Sequence, residues 1–354
     1  MAAATRWPRA LAGLIVLLTV MACSAPATPS PAPTAPNPLA GQTATTPGGA
    51  PASGSPAKVV FGNPGLGAST QFWAGFAAMD QGFFTAEGIL PEQVSIPSLP
   101  TLVQALIAGD IQVLGLPVLA TASVVAEGAP IKLVASTQEI PTVYAFGAPS
   151  VETWSDLRGK TVSPGNAPNT YFDVVFRMML EANGLDDGDY VVRYMPSNAR
   201  IPALQAGQLA AAVTAGTEAI TARAQGLKEL GAARDYVKDN QYSGLMVVDS
   251  WAQADPDRLV RTLRAFRRGA EWLFDPVNKQ AAIRIIREAG EFDPQDLERY
   301  YDELIGQKML SRDLRPNLRG IESQVVMAQR MGAIERIPPL EQWLDLSYLE
   351  QASR

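Results

Sequence analysis

The chain has 354 residues, 47% of them apolar and 18% charged, with a formal net charge of −6 and no histidine. That length allows two domains with cores of their own, and an acidic balance argues against nucleic acid as a partner. With no histidine and a single cysteine, Ser–His and Cys–His pairs and almost every transition-metal site are excluded, so neither a metal nor another cofactor is expected.

Arg6 and Arg9 precede an apolar run from Leu11 to Val20, followed by Met21, Ala22 and Cys23. Residues 1–22 therefore read as a secretory signal peptide, and the run is too short to span a bilayer as a helix. Val20-Met21-Ala22-Cys23 has the bacterial lipobox pattern, in which the thiol takes a diacylglycerol and becomes the mature N-terminus. The alternative is an ordinary signal peptide with an incidental cysteine at its end. No disulfide can form within the chain. Removal of the signal takes away two arginines and no acid, leaving 27 basic and 35 acidic side chains, a net of −8. Residues 24–57 hold nine prolines and no charge. Such a segment buries no core and reads as a tether reaching roughly 100 Å if fully extended. Together, 23–57 form a lipidated cysteine and Pro-rich tether, placing the folded part at the extracytoplasmic face of the cell membrane.

From Lys58 the elements alternate. Lys58 to Phe61 is a strand ending in the turn signal Gly62-Asn63-Pro64-Gly65. A helix starts at Ser69 or Thr70, both good N-caps, and ends near Gly82. Val94 to Ile96 reads as strand, Leu99 to Ala108 as helix, Ile111 to Leu116 as strand, Val118 to Glu127 as helix and Ile131 to Ser136 as strand. Gly109 and Gly128 follow the two helices as C-caps. Pro141 to Gly147 is an extended crossing segment. Then the order returns: strand Thr161-Val162, helix Asn169 to Ala182, strand Tyr190 to Tyr194, helix Asn198 to Ala206, strand Leu209 to Thr214 and helix Thr217 to Gln225. Ser243 to Val248 reads as the return crossing. From Pro256 the pattern is helical, with Leu259, Leu263 and Phe266 on one face and arginines on a solvated one; these helices are expected to pack on the first lobe.

The repetition extends to words. Asn63-Pro64-Gly65 with Ser69-Thr70-Gln71-Phe72 returns as Ser163-Pro164-Gly165 with Asn169-Thr170-Tyr171-Phe172. Ala86-Glu87-Gly88-Ile89 returns as Ala182-Asn183-Gly184-Leu185, Ala105-Leu106-Ile107-Ala108-Gly109 as Ala203-Leu204-Gln205-Ala206-Gly207, and Ala126-Glu127-Gly128 as Ala224-Gln225-Gly226. The fold class is therefore α/β, with two similar lobes of mostly parallel sheets flanked by helices and two crossover segments. Lobe 1 takes residues 58–142 plus 245–354, and lobe 2 takes 143–244. The cleft between them is the natural small-molecule site.

Three motifs fail on inspection. Gly159-Lys160-Thr161 ends like a phosphate-binding loop, but Trp154 stands where the first glycine belongs. Ser55-Pro56-Ala57-Lys58 has hydrolase spacing yet lies in the tether. Gly62, Gly65 and Gly67 lack the dinucleotide spacing. No paired-carboxylate signature appears, so a binding protein is favoured over an enzyme.

Residues 58 to about 335 resemble the exported solute-binding proteins of ABC importers for sulfonates, nitrate and thiamine-type pyrimidines. The resemblance rests on Asp80-Gln81-Gly82-Phe83-Phe84 with Glu87-Gly88-Ile89, Ala105-Leu106 with Ala108-Gly109-Asp110, and Asp156-Leu157-Arg158-Gly159-Lys160, in that order. One departure is Leu90-Pro91-Glu92-Gln93, which reads as a small loop insertion before the strand. The resemblance implies a monomeric clamshell that closes on its ligand and docks on ABC permease subunits served by a cytoplasmic ATPase. A ligand-sensing lipoprotein is a rival. Eukaryotic relatives that make the thiamine pyrimidine consume a histidine, which this chain lacks.

In such a fold the ligand lies where strand carboxyl ends meet helix N-termini. The expected ligand-binding residues are Asn63, Ser69, Thr70, Gln71, Trp73, Thr137, Tyr144, Asn166, Asn169, Thr170, Tyr171 and Glu218. Phe72 and Phe172 read as core. Arg200 is the only basic residue in these loops, and Glu139 accompanies Glu218 as acidic. Helix N-termini alone can hold an anion, but a guanidinium fork more usually accompanies one. Aromatic faces with neutral donors and acceptors suit a flat, uncharged heterocycle. Within the resembling family the vitamin branch fits that inventory, riboflavin first, the aminopyrimidine precursor of thiamine second, with sulfonate or nitrate as the anionic alternative.

Overall fold

The structure, a computed structural model, describes residues 55–63, 69–96, 98–290 and 294–354. The signal segment, Cys23 and nearly all of the tether lie outside the described residues. β1 (Ala57–Asn63) forms because Val59, Val60 and Phe61 follow one another at a position buried on both faces, as a central strand requires. A 3₁₀ turn, Thr70–Phe72, runs into α1 (Trp73–Asp80), followed by α2 (Phe83–Ala86) and β2 (Ile89–Ser95). Next come α3 (Leu99–Ala108), β3 (Val113–Pro117), α4 (Val118–Ala126) and β4 (Ile131–Gln138). The Ser98 side chain caps α3, and Gly109 at φ 85° ends it in the left-handed conformation that glycine tolerates.

The chain then leaves the first sheet. β5 (Val143–Gly147), β6 (Thr161–Ser163), α5 (Tyr171–Ala182), β7 (Val191–Val192), α6 (Ser197–Gln205), β8 (Ala211–Ala215), α7 (Thr217–Ala224), β9 (Lys228–Ala232) and α8 (Ala233–Tyr236) follow in order. β10 (Ser243–Val248) returns to the first sheet and leads to α9 (Asp249–Ala254), α10 (Pro256–Leu273), α11 (Lys279–Ala289), α12 (Pro294–Gly306), α13 (Leu318–Arg330) and α14 (Ser347–Ala352).

The sheet orders are β2-β1-β3-β10-β4 and β7-β6-β8-β5-β9. They correspond strand for strand. In each, four strands share one direction and the fourth position is filled by an antiparallel strand that has crossed from the other half of the chain. The sequence repeat is thus one sheet built twice, with the crossing strands exchanged. The two crossovers touch, Tyr242 donating its N–H to the Glu139 carbonyl at 3.0 Å.

Two details differ from the sequence reading. Leu90-Pro91-Glu92-Gln93 is not a loop insertion but part of β2, in register with residues 58–61 of β1. β2 is an edge strand, where a proline costs no ladder hydrogen bond on its open side. The C-terminal helices also do not all keep to the first lobe. α10 does, burying Leu259, Leu263 and Phe266, with the Phe266 ring 5.5 Å from Phe72. Phe72 is core, as its neighbours Phe61 and Phe76 at 5.3 and 5.2 Å show. α12 joins the same core but also packs against α7, and α13 packs against both α4 and α5. Among the described residues no helix is long and apolar enough to cross a membrane.

Candidate functional site

The parallel strands of the first sheet end at Asn63, Ser95, Pro117 and Gln138, with Ser243 opening β10 opposite Gln138. Buried hydroxyls and amides gather there. Thr137 Oγ1 and Ser243 Oγ are 2.9 Å apart, and Gln241 Nε2 donates to Ser136 Oγ at 2.7 Å and to the Ser243 carbonyl at 2.9 Å. Asn63 is buried at the end of β1, and Gln71 is buried in the turn that leads into α1. Ser69 and Thr70 are half-buried.

The second sheet offers its own edge at Val143, Ser163 and Ala215. Gly216 donates its N–H to the Thr142 carbonyl at 3.0 Å and adopts φ 58°, a left-handed turn that aims α7 back along the sheet. The two edges meet through Tyr300 of α12. Its hydroxyl lies 2.9 Å from Thr70 Oγ1 and donates to Thr142 Oγ1 at 3.0 Å. A β-carbon on Gly216 would stand 3.3 Å from that hydroxyl and 3.9 Å from Thr70 Oγ1, so the turn after β8 faces the turn after β1. Burial is the main reason the Tyr300 phenol is pushed up to about 12, against a partial lowering by Thr142 and Thr70.

The turn into α5 is the counterpart of 63–72. Thr170 caps the helix by accepting from the Asp173 N–H at 3.4 Å, while Asn166 and Asn169 are exposed. Tyr171 is buried, its ring packed edge-on against Tyr242 at 4.9 Å and its hydroxyl donating to Asn240 Oδ1 at 3.3 Å; burial holds its phenol well above the usual range.

Two rings expected to stack on a ligand are engaged with protein. Trp73 is 1% exposed and meets the Tyr300 ring edge-on at 5.6 Å. Tyr144 is fully buried, with Arg223 and Arg234 guanidinium groups 4.4 and 5.4 Å from its ring centre. Its hydroxyl donates to Glu303 at 2.5 Å, and burial followed by that bond raises its pKa strongly. β5 places Tyr144 one residue inside the sheet edge, and this removes it from the turn chemistry. Glu218, in the first turn of α7, is 30% exposed. Its carboxylate stands 3.8 Å from Arg200, whose guanidinium is 3% exposed, donates Nη1 to the Val213 carbonyl at 2.5 Å and leaves Nε without a partner among the described residues. Burial lowers the Arg200 pKa, and Glu218 partly restores it.

Tyr300, Thr142, Arg223, Arg234 and Glu303 were not among the residues that sequence reasoning selected. Tyr300 and Thr70 are 230 residues apart, and no local pattern joins them. Among the described residues no cluster of His, Cys, Asp or Glu could hold a metal ion.

Two like lobes, strand-exchanged across paired crossovers, with polar turns facing one another, define a two-lobe binding-protein fold. The chain belongs to the NMT1/THI5-like family, whose profile matches residues 69–278. No curated protein sequence matches the chain. Solved structures share the fold. A periplasmic sulfonate-binding protein of an ABC transporter from Methylobacillus flagellatus KT is 17% identical, with a TM-score of 0.68 over 84% of this chain and 94% of that one. The periplasmic nitrate-binding protein of Synechocystis PCC 6803 is 14% identical, with a TM-score of 0.68 over 85% and 89%. The periplasmic aliphatic sulphonate-binding protein of Escherichia coli is 15% identical, with a TM-score of 0.63 over 82% and 92%.

Proposed function

We propose that this chain is the solute-binding component of an ABC importer, lipid-anchored through Cys23 at the extracytoplasmic face and working as a monomer with permease subunits and their cytoplasmic ATPase. The observation that carries the reading is the meeting of one turn from each lobe, the turn after β1 at Thr70 and the turn after β8 at Gly216, beside the paired crossovers. Two lobes hinged in this way can capture a small solute and release it unchanged, and the chain has no histidine with which to do acid–base or nucleophilic work. The fold of sulfonate- and nitrate-binding proteins supports the same reading. Lobe 1 comprises 58–142 with 245–354, and lobe 2 comprises 143–244.

For the solute, uncharged donors and acceptors at Thr70, Thr142, Asn166, Asn169 and Tyr300 favour a flat, hydrogen-bonding heterocycle such as riboflavin or the thiamine pyrimidine. Recognition would run through ring edges and hydroxyls, since the faces of Trp73 and Tyr144 are covered. One observation favours a second reading, a sulfonate or nitrate: Arg200 is a buried guanidinium with an open Nε at the second sheet's edge, and charge-assisted bonds to anions are the stronger kind.

Calorimetry of the purified protein with riboflavin, the thiamine pyrimidine, taurine and nitrate tests the choice. Tight binding of a vitamin, recovered chemically intact at one per chain, supports the first reading. Binding of nitrate or taurine with neither vitamin overturns it, and catalytic turnover overturns both. Cys23→Ser should leave the protein unprocessed or soluble. A variant that still partitions with lipid after a salt wash refutes the anchor.

A further inference from the structure

The crossovers and α13 link the two lobes, and α12 adds a further link with charge in it. α12 follows α11 among the helices that serve the first sheet, and its Leu297, Tyr300, Tyr301 and Leu304 belong to the core around Phe61, Phe72 and Phe266. Yet its Glu303 has all its recorded partners in the other lobe. Oε1 accepts from the Tyr144 hydroxyl at 2.5 Å and from Arg234 at 3.3 Å, and Oε2 accepts from Arg223 at 3.3 Å. Tyr144 is the second residue of β5, Arg223 lies in the last turn of α7 and Arg234 lies in α8, so one carboxylate gathers three separate elements of the second sheet's lobe. Arg223 is also held at 2.7 Å by Glu229 within that lobe, which fixes the guanidinium before Glu303 reaches it. An apolar contact runs alongside: Ile220 of α7 is buried in the core around Phe61, Phe72 and Phe266.

Glu303 is only 15% exposed. A carboxylate so placed makes charge-assisted hydrogen bonds with its two arginines, and these are shorter and stronger than neutral ones. The network therefore has a single good geometry, and a rotation of the second lobe about the crossovers would break it at the carboxylate. Tyr300 stands three residues earlier on the same helix face, with its hydroxyl between Thr70 and Thr142. One rigid helix thus joins the facing turns to the second lobe.

We propose that α12 is an inter-lobe brace, in which Glu303 is the positioning residue that fixes the angle between the lobes and Tyr300 couples that angle to the site. The proposal rests on the two-lobe binding reading for its functional meaning, though the brace itself is a property of the structure. A solute entering between Thr70 and Thr142 must exchange with the Tyr300 hydroxyl, and moving Tyr300 moves Glu303 with it.

The test measures lobe separation directly. In full-length protein carrying Cys23→Ser, spin labels are placed at Gln104→Cys on α3 and Gln208→Cys beyond α6, both exposed, and the distance distribution is read by pulsed electron paramagnetic resonance. Glu303→Gln should broaden the distribution and add a second, separated population. Tyr144→Phe, which leaves both guanidiniums on Glu303, should do so less. If Glu303→Gln proves unfolded, Arg234→Gln, removing a partner from the other side, should show the same shift. Arg284→Gln, which breaks a pair with Asp80 wholly within the first lobe's helices, should leave the distribution at that of the parent; a change there would mean that general loosening is being read. A distribution unaltered by Glu303→Gln and Arg234→Gln overturns the brace. Calorimetry with riboflavin and taurine on the same proteins keeps the two ideas apart: a parent that binds neither while Glu303→Gln still opens the lobes refutes the solute reading and leaves the brace standing.

Discussion

The Asp173 carboxylate accepts the backbone N–H of Asn169 at 2.8 Å, with Asn169 itself at φ 60°. Asparagine is among the few residues that enter this left-handed region readily. The bond ties down the residue just before the Thr170 cap of α5 and leaves the Asn169 side chain exposed. Asp173 is wholly buried and also holds Arg177 at 2.8 Å and the Tyr194 hydroxyl at 3.1 Å.

Asp173→Asn should therefore cost about 3 kcal/mol, near the lower end for breaking a buried ion pair, because Arg177 keeps some contact with solvent. Urea unfolding checks the figure. A loss of less than about 1 kcal/mol, the range of an exposed pair, would show that the carboxylate does not organise the turn.

Trp73→Ala is expected to act on stability before it acts on any ligand. The ring is buried against Tyr300, and truncating such a side chain costs about 3–5 kcal/mol. If the variant unfolds at the parent's denaturant midpoint yet loses solute binding, Trp73 is a contact residue after all.

The buried phenols give the protein a limit at high pH. Tyr300 is pushed up to about 12 by burial, and Tyr144, Tyr171 and Tyr242 are raised as well, burial leading in each case. An unfolded tyrosine ionises near about 10. A group raised on folding stabilises the folded state fully below its unfolded pKa and loses that contribution as pH climbs through the folded value. Stability should thus fall from about pH 10 towards 12. Phenolate absorbance should show few tyrosines ionising early and the remainder appearing together with unfolding. A single phase centred near about 10 with the fold intact would contradict the burial.

Gly320, in the first turns of α13, packs directly on the backbone of Asn240 and Gln241 in the second crossover. A methyl group there meets main chain, which cannot swing aside. Gly320→Ala should cost about 1–3 kcal/mol by overpacking, despite alanine's better helix propensity. Thermal unfolding against Gly306→Ala, where nothing lies near, isolates the clash; equal effects would exclude it.

Much of the fold was legible because local signals agreed with the global plan. α3 spans Leu99–Ala108 as read, between a serine cap and a left-handed glycine, and β10 spans Ser243–Val248 as read. β9 was not, because Lys-Glu-Leu-Gly-Ala has no β-branched residue and becomes a strand only by pairing with β5. Pro91 read as a break because sequence does not say which strand is an edge. The site was legible only in its turns. Thr70, Asn169 and Thr170 stand where strand ends predicted, but Glu303 reaches Tyr144 across 159 residues, and nothing in the helical pattern around it distinguishes it from a solvated acid.

The exchange of strands also sets an order in time. The five strands of the second sheet lie in one uninterrupted run, 143–232, so that sheet can be completed as soon as this run is available. The first sheet cannot. β10 lies between β3 and β4, so without it residues 57–138 make a three-stranded piece and a separate fourth strand. Phe72 and Phe76 must wait still longer, until α10 arrives to cover them. The half that leads in the chain is the half that closes last. A chain delivered from its N-terminus thus holds its leading sheet unfinished until Val248 has followed, which ties its final packing to the arrival of its tail.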